Sequence, residues 1–175
     1  MKKIILYSTV AIGMLLGCKS STSSSNPDLV SLVLQPKSNS NVTGVATFIE
    51  TNGLVTFNAR IVGLTPGVHA IHIHEKADCS AADASSASGH WNPTFKKHGK
   101  WTEPEHHKGD IGNFTADANG VGTITLTTAE WCIGCGDVNR DILGKGLIVH
   151  EKADDFTTQP TGNAGGRMAC SAIIK

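Results

Sequence analysis

No block of basic residues occurs in this sequence. Its 15 Lys and Arg are balanced by 15 Asp and Glu, so it has no patch of the kind that holds nucleic acid or an anionic lipid surface. Its mostly apolar stretch, Ile4 to Gly17, is 14 residues long, short of the roughly 20 that a spanning helix needs. Helical periodicity is also scarce, which argues against bundles and βα repeats.

The apolar stretch follows Lys2 and Lys3 and ends in Leu15-Leu16-Gly17-Cys18. A positive start, a short apolar segment and a small residue before cysteine resemble the export signal and lipobox of bacterial lipoproteins. That resemblance implies a signal peptide over residues 1–17, cleaved before Cys18, and a lipid on Cys18. Residues 18–28 then form a lipidated, Ser-rich tether (KSSTSSSNP) that cannot bury apolar surface. The folded domain spans 29–175. It is expected in the bacterial cell envelope, periplasmic or at the cell surface, held to membrane through the N-terminal lipid only. Without Lys2 and Lys3 the 15 basic residues become 13, against 15 acidic ones.

With Cys18 lipidated, four cysteines remain: 79, 132, 135 and 170. An even number suits disulfides in an oxidising compartment. Four cysteines allow three pairings. The simplest joins the close pair Cys132–Cys135 and the distant pair Cys79–Cys170.

Short segments rich in Val, Ile, Thr and Phe dominate the chain, at 29–34, 42–50, 54–62, 68–75, 111–117, 121–128, 146–151 and 168–175. Gly, Asn, Asp and Pro separate them, and Asn52-Gly53 and Asn119-Gly120 mark hairpins. About eight short strands with tight turns predict an all-β sandwich or barrel. Two segments break the rhythm, 75–109 and 151–167. Loops of this length in a small domain are usually functional or disordered.

All eight histidines lie between positions 69 and 150, four of them in the first long loop. On a strand, residues two apart share a face, so His72 and His74 form a ready pair of metal donors. His150, ending the run LIVH, offers a third imidazole from a neighbouring strand. Imidazole-only ligation suits copper. In the loop, His90, His98, His107 and Asp110 make the three-imidazole, one-carboxylate set that suits zinc. His106 and His107 are adjacent, so at most one serves that set.

GVHAIHIHE, GHWNP, KKHG, HHKGDIGN, LIVHEKADD and GNAGGRMAC occur in this order. They resemble the successive signatures of the copper/zinc superoxide dismutases over residues 29–175. The resemblance implies an eight-stranded Greek-key flattened barrel, or immunoglobulin-like sandwich, with two long functional loops. It implies one copper per chain on His72, His74, His90 and His150, and one zinc on His90, His98, His107 and Asp110. His90 would bridge the two metals and act as proton donor. Arg167 would bind the superoxide anion beside copper, and Asp154 would link His72 to His98. Cys79 and Cys170 would form the family's disulfide. His69 would be structural, bonded to backbone. A homodimer is expected as the partner state where the chain is not monomeric.

Two departures stand out. The second loop is short, and Lys152 is the only basic residue between His150 and Arg167. Substrate steering then falls to Arg167 and the metals, or to Lys96, Lys97, Lys100 and Lys108. The segment WCIGCGDVNRD (131–141) reads as an insertion. Its Cys132-x-x-Cys135 fits a small structural disulfide, a redox or copper-acquisition site, or an intermolecular contact. Two other functions compete with dismutation. One is an exported copper or zinc storage or delivery protein on the same fold, expected to lack some copper ligands or the arginine. The other is a purely structural β-sandwich, which the histidine pattern disfavours.

Overall fold

The computed structural model describes residues 28–175. It contains eight strands: β1 (Asp28–Pro36), β2 (Thr43–Thr51), β3 (Leu54–Val62), β4 (Gly67–His74), β5 (Gly112–Ala116), β6 (Gly122–Thr128), β7 (Lys145–His150) and β8 (Arg167–Ile173). All pair antiparallel and close in the order β1-β2-β3-β6-β5-β4-β7-β8. The β3–β4 and β6–β7 connections therefore cross the barrel ends, as a Greek key requires. Closure of β8 on β1 through Gln35–Cys170 and Pro36–Ala169 leaves no open sheet edge. β1 begins at Asp28, one residue inside the expected tether, and its carboxylate holds Lys175 Nζ at 2.6 Å.

Alternation explains the core. β1 buries Val30, Leu32 and Leu34 and exposes the residues between them. Phe48 and Phe57, register partners on β2 and β3, pack with ring centroids 4.8 Å apart. The two hairpins use different turns. Asn52 and Gly53 both take positive φ (53° and 76°), which matches strand twist. At the second, only Gly120 does so, while the Asp117 carboxylate accepts the N–H groups of Asn119 and Val121.

β4 is buried on both faces from His69 onward. Ile71 and Ile73 belong to the barrel core, so His72 and His74 face outward. They are covered by the two long connections, 75–111 and 151–166. β7 behaves alike: Leu147 and Val149 point into the core, and Ile148 packs outside with Cys170, Ala84 and Ala87. Apart from one short 3-10 turn, Ser85–Ala87, the first connection has no regular element.

Candidate metal centre

Among the described residues, two groups of side chains place metal-donor atoms within 4.8 Å of one another: His72, His74, His90 and His150; and His90, His98, His107 and Asp110. All seven are buried. The strand pairing Ile71–Val149 and His72–Ile148 sets β4 beside β7, and the His72 and His150 rings lie 4.9 Å apart. The β7–β8 register shifts between Val149 and His150, putting His150 opposite Arg167. Such a bulge re-aims a side chain. His90 arrives from the first loop, which pairs with the end of β4 through a His74–His90 bridge. Gly109 makes this approach feasible, because a Cβ there would lie 2.0 Å from the Ile73 carbonyl oxygen.

Hydrogen bonds fix which imidazole nitrogens face inward. His72 and His98 each donate Nε2–H to one Asp154 oxygen, both at 2.9 Å. His74 donates Nδ1–H to the Ser88 carbonyl at 2.9 Å. His90 Nδ1 lies 2.7 Å from Asp110 Oδ1. Left without a hydrogen-bond partner are His72 Nδ1, His90 Nε2 and His150 Nδ1, while His98 Nδ1 and His107 Nδ1 face the Asp110 carboxylate at 3.0 and 3.3 Å. Buried polar atoms are normally satisfied. Unpartnered imidazole nitrogens gathered around one another and beside a carboxylate are a donor set suited to cations.

Burial, and then the neighbouring His72, pushes the His90 pKa down to about 3. Burial likewise holds His74 and His150 well below the ordinary value, with nearby imidazoles adding to it. These rings are neutral at pH 7, the form a metal ligand needs. Burial opposes charge on His98 too, but its bonds to Asp110 and Asp154 outweigh it and raise the pKa to about 9. Burial alone would raise the carboxyls of Asp110 and Asp154; their histidine partners hold both below the usual carboxylate range.

Residues 42–173 match the copper/zinc superoxide dismutase family. The chain belongs to that family. It is similar to superoxide dismutase [Cu-Zn] 2 of Mesembryanthemum crystallinum, 36% identical over 142 residues that cover 77% of this chain and 88% of the relative. It is also similar to an extracellular Cu-Zn superoxide dismutase of Brugia pahangi, 34% identical over 145 residues, 77% of this chain and 70% of the relative. The crystal structure of the clock protein EA4 overlays with a TM-score of 0.73 at 35% identity, covering 85% of this chain and 94% of that one. Copper and zinc are the superoxide dismutase cofactors, and the two donor sets suit them: imidazoles alone for copper, imidazoles with one carboxylate for zinc.

Arg167 donates to the Ala84 and Ser88 carbonyls, both at 2.7 Å. Ser88, in an uncommon backbone conformation (φ 69°), thus receives both Arg167 and His74. Cys79 and Cys170 are bonded, Cα–Cα 5.9 Å, which ties this loop to β8. Cys132 and Cys135 are bonded to each other. The His69 ring sits between the carbonyl oxygens of His150 (3.0 Å) and Thr65 (2.9 Å). Lys108, a steering candidate, is tied to Glu130.

Sequence reasoning missed two amide side chains. Asn113 accepts the Asp154 N–H and donates to the Asp154 carbonyl, both at 2.8 Å. Gln159 grips the His98 backbone in the same two-way fashion, both at 2.9 Å. It missed Gly162 as well, where a Cβ would lie 1.8 Å from Asp154 Oδ1.

Proposed function

We propose that this chain dismutes superoxide to dioxygen and hydrogen peroxide. The observation that carries the reading is His90, which contributes to both donor sets while Arg167 is bonded to the carbonyl that also orients His74. In this reading copper is held by His72, His74, His90 and His150, and zinc by His90, His98, His107 and Asp110.

When bound, copper supplies one-electron reduction and reoxidation, and zinc supplies fixed positive charge beside His90. The half-buried Arg167 guanidinium draws the substrate anion towards the copper set and offsets its charge. Burial lowers its pKa, Asp83 opposes that, and the group remains charged at neutral pH. His90 would hold and release a proton at Nε2, the nitrogen not bonded to Asp110, delivering one of the two protons that peroxide requires; solvent supplies the other. Asp154 keeps His72 and His98 in the tautomers that leave Nδ1 free, and Asn113 and Gln159 keep that arrangement rigid. A storage or delivery protein would need neither the shared His90 nor a positioned Arg167.

The test is to load the protein with copper and zinc and follow superoxide consumption, beside Arg167→Ala. Fast turnover is expected in the parent, with roughly a tenfold loss in the variant, the lower end of what attraction of an anion contributes. Stoichiometric copper and zinc with negligible turnover would overturn the reading.

The same proposal anchors the protein in the bacterial cell envelope by a lipid on Cys18. Its support is the order Lys2-Lys3, apolar stretch, Leu15-Leu16-Gly17-Cys18; these positions lie outside the described residues. Cys18→Ser is expected to move the protein from the membrane fraction to the soluble one, and retention in the membrane would refute the anchor. A homodimer is part of the proposal, supported by an apolar outer barrel face where register partners Val33 and Val45 are 59% and 56% exposed. Sedimentation of the Cys18→Ser form at the monomer mass would remove it.

A further inference from the structure

Outside the two donor sets, the segment after β6 fastens onto the first loop. The Glu130 carboxylate pairs with Lys108 Nζ and lies 3.6 Å from His106 Nε2. The fully buried Trp131 donates its indole N–H to the Lys108 carbonyl at 2.8 Å. Its ring meets Trp101 edge-on at 5.3 Å, and Trp101 lies against His106 at 4.8 Å. Two consecutive residues therefore grip the loop on both sides of His107, whose imidazole belongs to the second donor set. The copper set draws three of its four members from β4 and β7, whereas His98, His107 and Asp110 hang on loop backbone alone.

The grip has its own base. Cys132 N–H donates to the Arg140 carbonyl (2.8 Å), and Ile142 N–H donates to the Cys132 carbonyl (3.1 Å). Ile133 N–H donates to Glu50 Oε2 at 2.7 Å, and Asp141 accepts from Gly134 and Gly136, both at 2.9 Å. The Cys132–Cys135 disulfide closes this turn directly after Trp131. Cys132 is buried and Cys135 is exposed. The other disulfide joins a half-buried Cys79 to a fully buried Cys170, so Cys135 is the most exposed of the four bonded cysteines and the one a thiol reaches first.

We propose that Glu130 and Trp131 are positioning residues for zinc, locked by the Cys132–Cys135 disulfide, so that reduction of this bond by a dithiol loosens zinc and leaves copper in place. The proposal rests on the assignment of His107 to zinc. In the reduction, a thiolate of the dithiol attacks Cys135 Sγ. The S–S bond breaks, and its electron pair leaves on Cys132 Sγ, which takes a proton. The second thiol of the reductant then attacks the reductant's first sulfur, closing the reductant's own disulfide and releasing Cys135 as a thiol. The reductant ends as a disulfide, having given two electrons and two protons. The opened turn regains backbone freedom next to Trp131, and the grip on Lys108 and Trp101 weakens.

The test measures transfer of zinc and of copper from the loaded full-length protein to chelators. It compares the parent, Trp131→Phe, Glu130→Gln and dithiol-treated protein, with alkylation and mass spectrometry identifying the reduced cysteines. Trp131→Phe keeps an aromatic ring in place while removing the N–H donor and part of the buried ring, and Glu130→Gln leaves the packing intact. Zinc release is expected to rise on the order of tenfold, the scale of losing a partner that supports a metal ligand, with copper release unchanged. Unchanged zinc release, or zinc and copper lost in parallel, would overturn the proposal. A His107→Ala control separates the two levels. If that variant keeps zinc, the ligand assignment has failed. If it loses zinc while the grip variants keep it, the grip has failed.

Discussion

Replacing His150 with alanine is expected to lower superoxide turnover by more than about a hundredfold, the upper cost of losing a mere supporting partner of a metal ligand. His150 closes β7 where the register shifts, and its Nε2 stands 3.3 Å from His74 Nε2. No neighbouring side chain of the right chemistry can take its place: Val149 points into the core, and Glu151 is exposed. Alanine also removes a buried ring and opens the site to water. The two donor sets share only His90, so zinc content should stay near one per chain. Metal analysis with a superoxide assay reads both quantities. Retained turnover would show that copper is held elsewhere.

The second large effect concerns stability. Replacing Cys79 and Cys170 together with serine is expected to cost about 4–5 kcal/mol in the chain-entropy account, because the bond closes a loop of 91 residues. For a chain of this size, the thermal midpoint should fall by roughly 10–15 °C. The same bond carries the loop whose Ala84 and Ser88 carbonyls receive Arg167, so the variant should also lose turnover at temperatures where it is still folded. Calorimetry of the metal-free protein isolates the stability effect from metal binding. A midpoint shift of only a degree or two would mean that packing around Ile148 and the fully buried residue 170 already holds the loop.

The strands were legible because turn chemistry and period-2 alternation are local. Asn52-Gly53 announced its hairpin, and the spacing of two in His72 and His74 placed both on one face before any neighbour was known. The donor types were legible for a related reason: imidazoles are rare enough that six of them with one carboxylate, in one loop and two strands, stand out. What supports those donors was not legible. Ser88 acts through a backbone carbonyl, which every residue possesses. Asn113 and Gln159 hold Asp154 and His98 from 41 and 61 positions away. The grip of Trp131 on Lys108 likewise spans 23 positions. Residue types along the chain thus determined the strands, the turns and the set of atoms able to bind metal. Only barrel closure decided which of those atoms meet, because the β4–β7 pairing, the shift at His150 and the two crossing connections are contacts between segments that sequence spacing does not relate.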